Sequence, residues 1–199
     1  MTQPPVNSFQ TESRAAWRRW LAENHNRGEG VWLVGHKKAT GRRRLDYEAA
    51  VEEALCYGWI DSKPRRLDDL RFMLWFAPRK PRSGWSAPNK RRILRLIRAG
   101  KMAPAALAKV EAAKQDGSWS ALDAVEALKM PPDLKRALGP RSATAKNFAE
   151  FPRSAKRGIL EWIMTAKRPG TRMKRIAETA RLAARNVRAN QWSPRVRAG

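Results

Sequence analysis

The stretch Ala54–Asn89, ALCYGWIDSKPRRLDDLRFMLWFAPRKPRSGWSAPN, decides the fold of this 199-residue chain. It contains two apolar runs, Trp59–Ser62 and Leu70–Ala77, whose β-branched and aromatic residues are typical of strands. A turn through Pro64 and Asp68–Asp69 separates the two runs. The spacing predicts two antiparallel strands that are neighbours in one sheet.

Helices and one further strand are expected on both sides of this pair. Residues 11–24 have the spacing of an amphipathic helix, and residues 31–38 form a mixed apolar run that predicts a strand. Asp46 is suited to cap a helix that ends near Cys56. After Ser86 the apolar spacing is helical throughout. The sequence therefore predicts an α+β protein, with a small, mostly antiparallel sheet and packed helices in its N-terminal half and an all-helical C-terminal half.

The same pattern suggests a division of the chain. We expect an α/β unit over residues 9–85, a helical region with basic C-terminal helices over residues 86–190, and a disordered tail over residues 191–199. Within the helical region, residues 120–129 and residues from Thr171 to about Arg188 are predicted helices. The apolar residues expected to face the core from the first two helices are Ile93, Leu94, Ile97, Leu107, Val110 and Ala113.

The charge is strongly positive. The chain has 42 Lys and Arg against 18 Asp and Glu, a net charge of +24. Ser62–Lys101 and Arg153–Gly199 each hold thirteen cations and two anions, so that each carries +11. Such a field attracts polyanions and acidic partners. The simpler alternative is a solubilising surface with no partner, because net charge does not specify a function.

Several classes of protein are excluded by absent patterns. One cysteine permits neither a disulfide framework nor a cysteine-rich zinc site. The first ten residues lack the apolar segment of a signal peptide, and no apolar run is long enough to span a membrane. GxGxxG, GxSxG and HExxH motifs are absent. We therefore expect a cytoplasmic protein with no metal, no cofactor and no membrane span.

Arginine and tryptophan converge in the loop that follows the second strand. A strand–loop–helix junction exposes backbone N–H groups and the positive end of a helix, and arginine side chains add bidentate contacts to an anion. We therefore predict a site for an anionic small molecule or acidic partner here. Its residues are Trp59, Asp61, Arg65, Arg66, Arg79, Arg82, Ser83, Trp85 and Asn89. The alternative is a solvated basic loop with Trp85 in the core.

Two other functions remain open. Non-specific nucleic-acid binding would use the basic residues Lys90, Arg91, Arg95, Arg181, Arg185 and Arg188, although no helix-turn-helix, zinc-finger or RNP-like motif accompanies them. An enzyme would use Asp61, Tyr57 or Cys56, with Arg79 and Arg82 holding an anion. Because Cys56 lies at a helix C-terminus, a buried structural cysteine is favoured over a nucleophile. We expect binding rather than catalysis.

The motifs ALCYGWIDS, FAPRKPRSGWS, GKM at Gly100–Met102 and AKRPGTR at Ala166–Arg172 resemble those of a known family. The chain is similar, from about Phe9 to about Ala184, to the bacteriocin-protection, YdeI or OmpD-associated proteins of bacteria. The resemblance implies a stress or bacteriocin-protection role, and it brings no established enzyme activity or cofactor. Gly170 departs from the family pattern, in which a glutamate is usual, and this weakens an acid/base role for AKRPGTR.

Overall fold

The computed structural model describes residues 2–191 and forms two compact units, the first ending at Ser120 and the second beginning at Ala121. The first unit contains β1 Ser8–Gln10, α1 Arg14–Asn24, β2 Val31–His36, α2 Tyr47–Cys56, β3 Trp59–Arg66, β4 Arg71–Pro78, α3 Ala87–Arg98 and α4 Pro104–Gln115. The second contains α5 Asp123–Glu126, α6 Pro132–Leu138, α7 Ala143–Glu150, α8 Arg153–Met164 and α9 Pro169–Ala184. The predicted α+β class is confirmed.

The four strands form one mixed sheet in the order β1-β2-β4-β3. β4 pairs antiparallel with β3, as predicted, and also with β2, whereas β1 pairs parallel with β2. β1 was not predicted, because a three-residue strand is too short to show periodicity. The predicted turn is correct at Asp68–Asp69 and wrong at Pro64, since β3 continues to Arg66. Proline is tolerated because β3 is an edge strand whose register shifts between Asp61 and Pro64.

Local signals in the sequence explain the ends of the main helices. The side chain of Asp46 accepts a hydrogen bond from the Glu48 N–H at the start of α2, and Ser13 caps α1 in the same way through Ala16. Gly58 follows α2 with a φ of 72°, a conformation that glycine adopts without steric cost. These caps place α2 directly before β3.

The core of the first unit lies between one face of the sheet and its helices. Trp17 and Leu21 of α1 pack against Phe76 of β4, and Trp17 Nε1 donates to the Ala50 carbonyl over 3.0 Å. Burying one large apolar side chain contributes about 1.5–3 kcal/mol. Glu53 joins α1 to α2, because its carboxylate accepts from Arg14 and Arg18 over 2.6 Å each.

α3 and α4 belong to this same core. Ile93 and Leu96 of α3 and Val110 of α4 are buried with the residues of the sheet. The compact unit therefore extends to Ser120 and does not end at residue 85, where the sequence suggested a boundary. The helical pattern of residues 87–115 reflects helices that pack onto the sheet rather than a separate domain.

The face of α3 that points inward differs from the prediction. Ile93 is buried as expected, but Leu96 replaces Leu94 and Ile97, which are exposed. Arg92 and Arg95 form ion pairs with Glu48 and Glu52 of α2, which orients α3. In α4 the buried residues are Ala106, Val110 and Ala113, whereas Leu107 is exposed. Cross-helix ion pairs of this kind are not visible in the periodicity of one helix.

The second unit is helical throughout its described part. Leu134, Phe148, Ile159 and Ile163 form its core with the inward face of α9. Within the predicted helix 120–129, only Asp123–Glu126 is α-helical. α9 ends at Ala184, so that the predicted extension to Arg188 is wrong. The predicted tail over residues 191–199 lies, apart from Gln191, outside the described residues.

Candidate anion site

The turn after β4 begins at Arg79, an arginine whose side chain is buried. Arg79 follows Pro78 and donates its backbone N–H to the Gly58 carbonyl over 3.0 Å. The chain then reverses at Arg82, whose φ of 58° lies in the left-handed region that few residues other than glycine adopt. Non-glycine residues with such a backbone conformation cluster at functional sites, where the surrounding structure holds the strained backbone in place.

Arg79 is buried without an anionic partner. It is 8% exposed, and its guanidinium carbon lies 3.7 Å from the centroid of the Trp85 ring. Nη2 donates to the carbonyl oxygens of Ser83 and Gly84, whereas the buried Nε has no hydrogen-bond partner. Burial lowers the pKa of Arg79 to about 10, so that the side chain remains charged at neutral pH. A buried cation without a counter-charge is costly, and an added anion would offset that cost.

Arg79 lies in the wall of an open cleft of about 110 Å³, which we call the PRKPR cleft. One wall is the turn itself, and the other is α4 with the turn that follows it. The residues that line the cleft are Arg79, Lys80, Pro81, Arg82, Ser83, Trp85, Lys109, Ala112, Ala113, Asp116 and Ser118. Four of these are cations and one is a carboxylate, which gives the lining a net charge of +3. The cleft therefore favours anions.

Lys109 and Asp116 set the balance of charge on the α4 side. Lys109 Nζ donates to the Gly58 carbonyl over 3.2 Å, and burial lowers the pKa of this lysine. The nearby side chain of Ser118, and its backbone N–H, which donates to Asp116 Oδ1 over 2.8 Å, lower the pKa of Asp116, and the charge of Arg82 lowers it further. Asp116 therefore stays ionised near neutral pH and offsets part of the positive charge.

Four of the nine predicted ligand-binding residues line this cleft: Arg79, Arg82, Ser83 and Trp85. The other five do not. Trp59 is fully buried in the core, where its Nε1 donates to the His25 carbonyl over 3.1 Å. Arg65 and Arg66 are exposed on β3, and Arg66 pairs with Asp69 at the hairpin tip. Trp85 lines the cleft but is only 2% exposed, so that most of its side chain belongs to the core, the alternative position considered for it.

Asp61 and Asn89 belong to a second polar cluster. Tyr47 donates its hydroxyl to Asp61 Oδ2 over 2.8 Å, and Arg92 Nη1 donates to Asn89 Oδ1 over 2.8 Å. Partial burial, with the hydrogen bond to Asp61, raises the pKa of Tyr47 to about 12. The partners of Asp61 and Asn89 are thus supplied by α2 and α3, and neither residue lines the cleft.

The residues that the enzyme alternative would use, Cys56, Tyr57 and Asp61, have their contacts outside the PRKPR cleft. Cys56 is buried and burial raises the pKa of its thiol, which disfavours the reactive thiolate. Tyr57 lies under the guanidinium of Arg18, with 5.4 Å between the guanidinium carbon and the ring centroid. Neither Cys56, Tyr57 nor Asp61 lines the cleft that contains Arg79.

The residues of the nucleic-acid alternative fall in both units. Arg95 forms ion pairs with Glu48 and Glu52, whereas Arg91 is exposed. Lys90 lies over the Trp119 ring at 5.5 Å. Arg181, Arg185 and Arg188 are exposed, but the last two follow the end of α9, so that the three do not lie on one helix.

Sequence reasoning missed the contribution of α4. Lys109, Asp116 and Ser118 reach the cleft only because α4 packs against the turn, and they are distant from it in sequence. Lys109 also bonds to the carbonyl of Gly58, and no local signal in the sequence indicates that long-range contact. Over residues 2–191 no cluster of His, Cys, Asp or Glu is suited to hold a metal ion. In the same range no helix is long and apolar enough to cross a membrane.

Residues 9–109 match a family model described as Domain of unknown function (DUF8412), which covers just over half of the chain and most of the PRKPR cleft. The chain belongs to the DUF8412 family. Residues 127–186 match a second model, Bacteriocin-protection, YdeI or OmpD-Associated, which confirms the resemblance inferred from the sequence. That second match contains AKRPGTR, whereas the motifs ALCYGWIDS and PRKPRSGWS lie in the DUF8412 segment. No curated protein and no solved structure matches the chain.

Proposed function

We propose that this protein binds an anionic ligand in the PRKPR cleft, and that it acts by binding rather than by catalysis. The observation that carries the proposal is Arg79, which is 8% exposed, stacked on Trp85, and has a buried Nε without a partner. A protein that buries a guanidinium in this way gains free energy when an anion enters the adjacent cleft.

The wider role that we propose is protection against bacteriocins or a related stress, in the cytoplasm. Its support is the match of residues 127–186 to the bacteriocin-protection family. The ligand site and this match lie in different units, so the two parts of the proposal are tested separately.

Binding of anions to the purified protein tests the first part. Arg82→Ala and Lys109→Met remove one cation each from the cleft, and methionine retains most of the aliphatic stem of Lys109. Since a hydrogen bond to a charged group contributes about 1.5–3 kcal/mol, each variant should weaken binding by roughly tenfold or more. Calorimetry gives the affinity, and the fluorescence of Trp85 and Trp119 reports the local change.

Arg91→Ala is the matched control, because it removes one positive charge from an exposed position on α3 that does not line the cleft. It should leave the affinity within about twofold of the original. The proposal is refuted if Arg91→Ala weakens binding as much as the two cleft variants, or if those variants bind as tightly as the original protein.

Nucleic-acid binding remains the second proposal, supported by the net charge of +24. A protein that neutralises about six phosphates should show a slope of roughly −5 in a plot of log affinity against log salt. Such binding would respond to Arg91→Ala and to Arg181→Ala, and would not require the cleft residues.

A further inference from the structure

The size of the PRKPR cleft limits the part of a ligand that it can enclose. Its volume is about 110 Å³, whereas sites for drug-sized ligands occupy about 300–1,000 Å³. An ion or a terminal group of a few heavy atoms fits this space, and a nucleoside does not.

The walls of the cleft also exclude a flat aromatic group. Trp85 is 2% exposed, with the guanidinium of Arg79 over its ring and the ring of Trp119 at 5.1 Å between centroids. No free face of Trp85 therefore remains on which a base or sugar ring could stack. Trp85 holds Arg79 in place, and the ligand would be bound by the cationic side chains of the cleft.

The charge of the lining favours a dianion over a monoanion. Arg79, Lys80, Arg82 and Lys109 are opposed by Asp116 alone, which leaves +3. A carboxylate carries one negative charge, whereas a phosphate group carries about −1.5 to −2 at neutral pH and offers three acceptor oxygens. Arginine side chains match such oxygens with paired N–H donors. A phosphate group therefore neutralises more of the cleft than a carboxylate of similar size.

We propose that the ligand of the PRKPR cleft is a phosphate group in its dianionic form, either free inorganic phosphate or the terminal group of a phosphate monoester. This inference rests on the proposed function, since it assigns a chemical class to the anion that the cleft binds. The single-charge alternative, a carboxylate, is an outcome of the test below.

The ionisation of the ligand provides a sharp test. The charged groups that face the cleft are Arg79, Lys80, Arg82, Lys109 and Asp116, and the lining described above contains no histidine, the side chain whose ordinary pKa lies between pH 5 and pH 7. A phosphate monoester has a second pKa of about 6, so that its dianionic fraction rises roughly tenfold over this interval. Sulfate remains a dianion throughout and controls for any change in the protein.

The experiment is a calorimetric titration of the full chain with glycerol phosphate, inorganic phosphate, sulfate and acetate at pH 5 and pH 7. We expect the affinity for glycerol phosphate to rise severalfold, up to about tenfold, from pH 5 to pH 7, while that for sulfate changes by less than about twofold. Acetate should bind at least about tenfold more weakly than either dianion at pH 7. If glycerol phosphate binds as tightly as inorganic phosphate, the ligand is the terminal group of a phosphate monoester. If inorganic phosphate binds more tightly, the ligand is the free ion.

The two proposals fail in different ways. If acetate binds as tightly as phosphate, or if phosphate binding does not depend on pH, the dianion assignment is overturned and the anion site stands. If none of the four anions binds, or if binding persists unchanged in Lys109→Met, the anion site itself is overturned. Glycerol phosphate binding that is lost in Lys109→Met and retained in Arg91→Ala supports both.

Discussion

Gly58 contacts residues of both walls of the PRKPR cleft. Its replacement by alanine tests the contribution of the cleft to binding separately from its contribution to stability. The Gly58 carbonyl accepts hydrogen bonds from the Arg79 N–H over 3.0 Å and from Lys109 Nζ over 3.2 Å. Its φ is 72°, and a Cβ added to it would lie 2.8 Å from Lys109 Cδ. Alanine at this position is therefore strained, and it displaces the side chain of a cleft cation.

The two effects of Gly58→Ala have different magnitudes. The left-handed conformation costs an L-residue roughly 1–2 kcal/mol, which lowers the free energy of unfolding by about that amount. The lysine chain is flexible and moves aside at little cost in stability, but its ammonium then leaves the cleft. We expect the affinity for phosphate to fall by roughly tenfold, which corresponds to about 1.4 kcal/mol.

Gly100→Ala is the matched control for Gly58→Ala. Gly100 also has a left-handed backbone, with a φ of 63°, but no atom lies within 4 Å of its added Cβ. Urea denaturation should show a similar loss of stability in both variants, to within about 0.5 kcal/mol, whereas calorimetry should show weaker phosphate binding only in Gly58→Ala. Equal affinities in the two variants would refute the role that we assign to Lys109.

Three further predictions concern the first unit. Gly30→Ala should destabilise the protein by about 3 kcal/mol in urea denaturation, because its Cβ would lie 2.4 Å from the ring of Trp75 and 2.5 Å from a backbone oxygen, whereas Gly28→Ala, with nothing within 4 Å, should be neutral. Glu53→Gln should cost about 1–3 kcal/mol by the same measurement, since it removes the carboxylate that accepts from Arg18 and one of the two that accept from Arg14; a loss below about 0.5 kcal/mol would contradict this. Cys56, with a thiol pKa raised by burial, should react with a thiol reagent at pH 8 only when the protein is unfolded, and rapid reaction of the native protein would show that the site opens.

Much of the fold could be predicted because its signals are local. The Asp46 cap, the glycine at 58 and the apolar run Leu70–Ala77 are features of residues close in sequence, so composition and capping rules identify α2, β3 and β4. The sequence also marks both ends of α4, since Pro104 starts it and the Asp116-Gly117 turn ends it. β1 and the extent of the first unit were not predicted, because they depend on which surfaces pack together.

The candidate site was predicted in part for the same reason. Arg79, Arg82, Ser83 and Trp85 are neighbours in one turn, and they line one cleft. Other residues of the same motif point elsewhere. Trp59 and Asp61 are two residues apart on β3 and so lie on the same face of the sheet, where Trp59 enters the core and Asp61 bonds to Tyr47 of α2.

The amino-acid sequence by itself determined the strong positive charge, the order of most helices and strands, and the turn in which arginine and tryptophan meet. Only the tertiary structure decided that Arg79 is buried without a counter-charge and that Lys109 and Asp116 form the opposite wall of its cleft. The physical reason is that capping and periodicity act over a few residues, whereas desolvation depends on every atom that surrounds a charge once distant segments have packed together.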